Sequence, residues 1–492
     1  MATAPHILVI IVTWNKKQYI LNLLASLTQL AYPQDALDIV VVDNASEDDT
    51  VAAITQAYPQ VRLLQNTENL GGTGGFNTGL SWAFQQNDYQ YLWLLDNDVL
   101  VHQQALATLV HLLESQPEVA VAGSTMLQLD YPWRVNEMGA FVNRGLGTLV
   151  LNRHLEEIPA LQGHSLATLQ SLPIDLTQLL LHCQPSMDVD YVAAASLLVR
   201  AEVARQAGLW RNYFIHFDDV EWCLRIKRHL GQRVVVSAQS LIWHLSAAAK
   251  VPTWVLYYDN RNMLDLLKTH DVAPQELQRV MRRVLLKALY YQIIAKPDLA
   301  HLHHRALADF QAGRNGHQDI QLEVDYQPLA AVLPILLAPT INRILIAWTL
   351  NLQAMELQEP LIQAQLKRPE LVIDFLTLPG GEARFQMPWS RFIFMPKRLT
   401  RWLTYWQLRG QYDLVIQSDY QPSLGLAWLN AEQLFVNDEG FCQRSKPKFK
   451  AVVDAGWQFL RSFFWRKDNF LQPAKPIEPW VKKTYKSDDS TC

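Results

Sequence analysis

Acidic residues that directly follow an apolar run near residue 95 have a spacing suited to metal binding. Asp96, Asn97 and Asp98 come after the apolar run 91–95. Two carboxylates at positions i and i+2, where a strand leaves a sheet, can both reach one hard divalent cation, and such an ion would neutralise a diphosphate. Ligands of open α/β sheets bind at this end of the strands. A polar turn after a strand gives the same pattern, so this motif alone does not decide between the two.

A second acid and a glycine-rich run occupy comparable positions. Asp43 follows the β-branched run 39–42 and could accept a hydrogen bond from a ribose hydroxyl or a base N–H, although an Asx turn or a helix cap is the commoner reason for such a residue. The run 71–79 contains Gly71, Gly72, Gly74 and Gly75 and is predicted to be a loop that leads into a helix over about 80–86. It would allow close backbone approach to an anion. It matches neither the Walker A nor the Rossmann pattern, and a flexible turn is the alternative.

Three acids flanked by aromatic residues form the next candidate group. Asp218, Asp219 and Glu221 fall within four residues. In a partly desolvated cleft, one of them could act as a general base. The alternative is an acidic helix start that pairs with Arg225.

Histidines at two places in the sequence differ in how well they could bind a metal. His244 follows the predicted strand 234–243, and a histidine at a strand end can complete a metal site or contact phosphate, although a single histidine is more often structural. His301, His303 and His304 have no acid at metal-ligand spacing and are predicted to lie on a helix surface.

Strand and helix signals alternate through the first hundred residues and predict a mostly parallel α/β sheet. Further strand candidates continue to about residue 246, and a helical pattern follows to about residue 311. We therefore expect an α/β domain over 1–250, with a nucleotide-binding half at 1–119 and an acceptor half at 120–250. A helical segment is expected over 251–325.

A second, smaller α/β unit is predicted over 326–441. Its strand and helix spacing is that of a small, Rossmann-like doubly wound module. It has no acidic pair after a strand and no phosphate loop, so a structural or acceptor-binding role is favoured. A second transferase module is the alternative, and it would centre on Gly380, Gly381, Glu382 and Asp419.

Charge is distributed unevenly along the 492 residues. The net charge of −4 excludes a generic polyanion-coating protein, and no nucleic acid partner is expected. The predicted tail, 442–492, is basic: from Gln443 onward it has eleven Lys or Arg against five Asp or Glu, a net +6 on a body of −10. Aromatic residues and arginines at helical spacing over 454–469 are typical of a helix lying on an anionic membrane surface. A core helix that docks by its aromatic face is the alternative.

The cysteines and the apolar segments bear on location. Four scattered cysteines without a CxxC pair favour a reducing compartment. The N-terminus lacks the basic region of a signal peptide, and proline and polar residues interrupt the apolar stretch 329–348. We expect a cytoplasmic chain that is peripheral on the inner face of the cell membrane.

The order of these motifs resembles inverting family 2 glycosyltransferases of the GT-A fold. The series is ILVIIVTWN, VVDNAS, NLGGTGGFNTG, WLLDND, FDDVEWCLR, IWH and YYDNRN, within residues 6 to about 312. It is most similar to bacterial galactofuranosyltransferases, with rhamnosyltransferases as close relatives. The resemblance implies that Asp219 is the catalytic base and that Asp96, Asp98 and His244 hold Mn²⁺ or Mg²⁺. It also implies contacts to the nucleotide donor from Thr13, Asp43, Gly71, Gly72, Gly74, Gly75, Asp96 and Asn97.

The same resemblance implies a reaction. A sugar, with galactofuranose from UDP-galactofuranose as the first choice, would move to a lipid-linked or polysaccharide acceptor in cell-envelope or exopolysaccharide synthesis. Rhamnosyl transfer from dTDP-rhamnose is the alternative. Asn97 departs from the family, because galactofuranosyl enzymes often have Asp there, and this departure concerns the donor rather than activity. Assembly into a homo-oligomer is left open.

Three other classes of protein fit these residues less well. A nucleotidyltransferase normally has its glycine-rich loop after the first strand, where Thr13, Trp14 and Asn15 stand instead. A non-catalytic glycan-binding scaffold on the same fold would not need a complete metal-and-base set. A processive membrane synthase is set aside for want of spanning helices.

Overall fold

The computed structural model describes most of the chain. The described residues are 4–86, 88–129, 131–152, 156–173, 184–244, 254–320, 327–347, 357–379, 391–396, 401–419, 423–436, 441–446, 453 and 457.

The first region, residues 7–244, contains twelve strands and seven α-helices among the described residues. The strands are β1 (Ile7–Thr13), β2 (Leu37–Asp43), β3 (Arg62–Gln65), β4 (Tyr91–Asp96), β5 (Val99–Val101), β6 (Val119–Gln128), β7 (Val135–Glu137), β8 (Ala140–Asn143), β9 (Thr148–Leu151), β10 (Ser186–Asp188), β11 (Leu197–Arg200) and β12 (Arg233–His244). The helices are α1 (Lys17–Leu27), α2 (Thr50–Ala57), α3 (Gly71–Gln85), α4 (Ala105–Ser115), α5 (Leu166–Ser171), α6 (Ala201–Ala207) and α7 (Asp218–His229).

The first sheet is mixed and has an apolar core on both faces. Its order is β10-β12-β6-β11-β4-β1-β2-β3, with β5 beside β12 and β7 beside β6, while β8 and β9 form a separate hairpin. β1 is parallel to β2 and β4, whereas β11 is antiparallel to β4 and β6. Thr13 lies opposite Asp43, and Val12 lies opposite Asp96. The carboxyl ends of three strands therefore meet at one edge, as the alternating pattern predicted.

The glycine-rich run is helical, so the predicted loop over 71–79 is wrong. Helix α3 begins at Gly71, not near residue 80. A Cβ on Gly75 would clash with the side chain of Val12, and one on Gly79 would clash with Ile10. These glycines allow the helix to pack directly on β1, and this packing overrides the weak helix propensity of glycine.

The predicted helical segment is confirmed by α8 (Val255–Thr269), α9 (Pro274–Ile293) and α10 (Pro297–Gln311). The prediction that His303 lies on a helix surface is wrong. Its side chain is fully buried where α10 packs on α8 and α9, its Nδ1 lies 2.8 Å from the carbonyl oxygen of Leu299, and burial lowers the pKa of His303 to about 4. No helix among the described residues is both long and apolar enough to cross a bilayer.

The second α/β unit is doubly wound, as predicted. Its strands are β13 (Gln327–Pro328), β14 (Arg343–Ala347), β15 (Val372–Thr377), β16 (Arg391–Phe394), β17 (Leu414–Ser418), β18 (Glu432–Val436) and β19 (Phe441–Ser445). Its helices are α11 (Val332–Leu336), α12 (Gln358–Lys367), α13 (Arg401–Leu408) and α14 (Leu424–Ala427). The sheet order is β13-β19-β18-β17-β14-β15-β16, and β14 to β18 are parallel. Strand order reverses between β14 and β17, where such folds bind ligands.

One predicted boundary needs correction. β19 pairs antiparallel with β18, so the second sheet extends to Ser445, past the predicted end of the unit at residue 441. Of the predicted tail beyond Lys446, the structure describes residues 453 and 457 alone, and the predicted interfacial helix lies outside the described residues.

Candidate active site

The three residues predicted to share a metal meet at the carboxyl edge of the first sheet. One ligand atom each from Asp96, Asp98 and His244 lies within 4.8 Å of the others. Nε2 of His244 is 3.0 Å from Oδ1 of Asp98, and the side chains are 15% and 23% exposed. β12 places the histidine there because its last residue pairs with Val99 of β5. Two carboxylates and an imidazole are a donor set that fits Mn²⁺, and carboxylates also suit Mg²⁺.

Asn97 joins the end of β4 to the end of β1. Its Nδ2 donates to Oγ1 of the buried Thr13 over 2.9 Å. An ionised aspartate could not donate this hydrogen bond. The residue that departs from the family pattern therefore has a definite contact with the end of β1.

Asp43 lies beside Thr13 with one carboxylate oxygen unused. Its Oδ2 accepts from the backbone N–H of Ser46 over 3.0 Å, so the local turn considered from the sequence is present. Its Oδ1 is buried and has no hydrogen-bond partner within the described part of the chain. A buried unpaired carboxylate oxygen costs free energy unless a donor meets it. This oxygen is available to a donor from a bound nucleotide.

Hydrogen bonds within the protein already occupy backbone N–H groups at the start of α3. The N–H of Gly71 donates to Oδ1 of Asn69 over 2.9 Å, and the N–H of Thr73 donates to the carbonyl of Phe214 over 3.1 Å. Gly72 has open space on its outer side. Nucleotide contacts by the glycine run stay a prediction, and Gly72 is the best placed of its members.

The three acids of α7 separate into different environments. Glu221 is fully buried and forms a 2.5 Å ion pair with Arg225, which is the structural pairing considered from the sequence. Asp218 is also buried, and its Oδ2 accepts a hydrogen bond from Oγ1 of Thr73 in α3. Both side chains are thus committed to protein partners.

Asp219 has the surroundings of a proton acceptor. The residue is partly exposed, and its Oδ2 accepts from the N–H of Ala194 over 3.2 Å. Burial, followed by the neighbouring charge of Asp218, raises the pKa of Asp219 to about 8. Burial also raises the pKa of Asp218, so the two carboxyl groups titrate as a pair. A carboxyl group with a pKa near the working pH is suited to general base catalysis.

The loop before α7 has an uncommon backbone that a residue of α8 supports. Phe214, His216 and Phe217 have φ angles of 72°, 63° and 66°. This left-handed region costs an L-residue about 1–2 kcal/mol. Nδ2 of Asn262 donates to the carbonyl oxygens of Ile215 and His216 over 2.8 and 2.9 Å.

Arg261 reinforces the same loop. Its Nη2 donates to the carbonyl of Tyr213 over 2.9 Å, and its Nη1 donates to the carbonyl of Gly316 over 2.8 Å. Both Arg261 and Asn262 are fully buried. Both residues belong to the motif YYDNRN, which by itself predicts no role for them. The signal was available, because Arg and Asn are rarely fully buried without specific partners.

The side chain of Lys296 occupies part of the carboxyl edge of the second sheet. Asp419 directly follows β17 and forms a fully buried ion pair with Lys296, which precedes α10. The Lys296 ammonium also lies 4.5 Å from the ring centroid of Phe435. This arrangement favours a structural role for the unit over a second active site centred on Asp419. The other residues of that alternative, 380–382, lie outside the described residues.

The chain matches the family model described as Glycosyltransferase like family 2 over residues 4–262, which is more than half of its length. It therefore belongs to this family. The predicted GT-A fold and glycosyltransferase class are confirmed.

Individual relatives of this chain have low sequence identity to it. Galactofuranosyltransferase GlfT2 of Mycobacterium tuberculosis is 24% identical over 326 residues, which cover 63% of this chain and 50% of that protein. Glycosyltransferase AglE of Haloferax volcanii is 31% identical over 230 residues, covering 46% of this chain and 62% of that protein. The chain thus spans about half the length of the GlfT2 proteins that it matches.

The similarity of this chain to solved structures is low. TarS 1–349 of Staphylococcus aureus has a TM-score of 0.41 at 16% identity, over 62% of this chain and 80% of that one. The mannosyltransferase PcManGT of Pyrobaculum calidifontis, in complex with GDP-Man and Mn²⁺, has a TM-score of 0.37 at 18% identity, over 75% and 88% of the two chains.

Proposed function

We propose that the chain is an inverting, metal-dependent glycosyltransferase that uses a nucleotide-sugar donor. The meeting of Asp96, Asp98 and His244 at the edge where β4 ends carries this proposal. Asp43, with its unused buried oxygen, ends a strand at the same edge. A bound Mn²⁺ or Mg²⁺ would supply positive charge for the diphosphate of the donor.

Asp219 is the proposed catalytic base. It takes the proton of an acceptor hydroxyl while that oxygen forms a bond to the anomeric carbon, and the bond from that carbon to the diphosphate oxygen breaks on the opposite face. The nucleoside diphosphate leaves with the bonding electron pair, and a single displacement inverts the anomeric configuration. Asp43 accepts a donor N–H or O–H through Oδ1, and the contact of Thr73 with Asp218 links the base to the donor half of the domain.

UDP-galactofuranose is the proposed donor, and the matches to two mycobacterial galactofuranosyltransferases at 24% identity support it. dTDP-rhamnose is the alternative donor. The proposed acceptor is a lipid-linked or polysaccharide glycan of the cell envelope or an exopolysaccharide, which the chain would meet in the cytoplasm at the inner face of the membrane. Single pocket contacts that select a sugar are worth about 1–3 kcal/mol, so the donor has to be measured.

Isothermal titration of the protein against UDP, dTDP and GDP with Mn²⁺ tests the proposal. We expect metal-dependent binding of one nucleotide, and loss of this binding in Asp96→Ala/Asp98→Ala. The matched control, Asp35→Ala/Glu202→Ala, removes two exposed charges elsewhere and should bind normally. Absence of binding to all three nucleotides would favour the non-catalytic glycan-binding scaffold.

A further inference from the structure

Large apolar side chains project from one surface of the second α/β unit. Trp402 and Trp406 of α13 are 64% and 62% exposed, and Trp428, directly after α14, is 55% exposed. Leu403 and Leu424 on the same two helices are 43% and 48% exposed. These five residues are called the tryptophan patch below. Exposed apolar patches of this kind mark interaction surfaces.

The two helices that carry the tryptophan patch lie against each other. The hydroxyl oxygens of Tyr405 in α13 and Ser423 before α14 are 3.2 Å apart. A Cβ on Gly425 would clash with the ring of Tyr405, so glycine allows α14 to sit directly on that ring. The exposed side chains of both helices therefore belong to one surface.

Folding of the unit does not explain the apolar residues of α13. Trp402 and Trp406 are four residues apart and share a helix face, and that face points to solvent. The core beneath is contacted by Leu408, which is buried, and by Tyr405. A helix that only covered a core would be polar at its outer positions. The outward apolar face therefore points to a partner.

The described residues of α13 and of the chain just after it carry positive charge. Between Arg401 and Tyr412 the basic residues are Arg401 and Arg409, and this segment contains no Asp or Glu. The guanidinium of Arg409 lies 4.7 Å from the ring centroid of Trp428. Tryptophan, leucine and arginine without acids are the composition that binds the interface of an anionic bilayer.

We propose that the tryptophan patch is a membrane-docking surface. Its tryptophan and leucine side chains enter the headgroup layer of an anionic bilayer, and the nearby arginines contact lipid phosphates. The residues of this surface come before the predicted basic tail in the sequence, and their binding to lipid does not depend on the proposed transfer reaction.

Vesicle co-sedimentation of the full chain tests this proposal without any activity readout. Native protein should bind vesicles of phosphatidylglycerol and phosphatidylethanolamine, and Trp402→Gln/Trp406→Gln should bind them at least tenfold more weakly. Leu366→Gln is the matched control, because this residue of α12 is 68% exposed and lies in the same unit. It should bind as the native chain does.

Two further experiments distinguish membrane binding by the tryptophan patch from binding by the tail and from contacts between copies of the chain. A charge-reversed tail, Lys482→Glu/Lys483→Glu/Lys486→Glu, should still bind vesicles through the tryptophan patch. Equal vesicle binding by the native and Trp402→Gln/Trp406→Gln proteins would overturn the proposal. A second result would also overturn it: the native chain does not bind vesicles, and the tryptophan variant changes only the oligomeric state in sedimentation velocity. The patch would then be a contact between copies of the chain.

Discussion

The side-chain amide of Asn262 donates to the backbone carbonyl of His216 over 2.9 Å, and this contact joins α8 to the loop that leads into Asp218 and Asp219. The same amide holds Ile215, while three residues of the loop keep positive φ angles. Asn262 therefore acts as a positioning residue for the proposed base.

Replacing Asn262 by Asp should misplace the loop while keeping the size of the side chain. The carboxylate cannot donate to the two carbonyls, and breaking buried hydrogen bonds costs about 1–3 kcal/mol of stability. We expect kcat to fall about 10-fold or more with little change in nucleotide affinity, as measured by steady-state kinetics and titration calorimetry. An unchanged kcat at the same acceptor KM would show that the loop does not need this support.

Asp219→Asn should abolish most turnover and leave donor binding largely intact. Loss of a general base lowers the rate by roughly 100- to 10,000-fold. Asp35→Asn is the matched control, because Asp35 is exposed and precedes β2, at the opposite end of that strand from Asp43. Kinetics and nucleotide titration of both variants decide the assignment, which fails if Asp219→Asn keeps near-native turnover.

The activity should be lost on the acid side of a midpoint that lies well above the ordinary pKa of a carboxyl group. Because the pKa of Asp219 is raised to about 8, the base is largely protonated at neutral pH. We expect kcat/KM to rise with pH up to about 8 and then to level off. A profile already flat between pH 5 and 7 would argue against this residue as the base.

The same shift has a consequence for stability. Between the ordinary carboxyl pKa of 3.8 and about 8, the folded chain holds a proton on Asp219 that the unfolded chain has lost, so the free energy of unfolding should fall as pH rises. Urea unfolding of native protein and Asp219→Asn across this range measures the effect, and the variant should show the weaker pH dependence.

Asp43→Asn should weaken nucleotide binding without lowering stability. The amide oxygen can still accept from Ser46, but the unused buried carboxylate oxygen is lost. A hydrogen bond to a charged group is worth about 1.5–3 kcal/mol, so the dissociation constant should rise about 10-fold or more. Calorimetry gives the affinity and a melting curve gives the stability. Native affinity in the variant would remove Asp43 from the donor site.

Breaking the ion pair between Lys296 and Asp419 should destabilise the chain strongly. Lys296→Met leaves a buried carboxylate without its partner, which costs about 3–5 kcal/mol. Lys296→Met/Asp419→Leu removes both charges and should recover much of this loss. Urea unfolding of the two variants tests the expectation, and equal midpoints for Lys296→Met and native protein would mean that the pair is not buried in solution.

Sequence patterns predicted the parts of the fold that depend on local periodicity. The strands that end at Thr13, Asp43 and Asp96 were readable because apolar runs stop at polar residues. The helix over the glycine run is not predictable from local sequence, because the absence of a Cβ at Gly75 and Gly79 makes room for Val12 and Ile10 of a distant strand. His303 was misread for the same reason, since three helices enclose it.

The sequence by itself determined which chemical groups the chain carries and which strand ends could present them, because both follow from residue type and short-range spacing. Tertiary structure alone decided that His244 meets Asp98, that Glu221 is committed to Arg225 while Asp219 remains partly exposed, and that Lys296 pairs with Asp419. These relationships depend on burial and on contacts between separate elements. Burial also sets the pKa of Asp219, because removing a carboxylate from water disfavours its charged form.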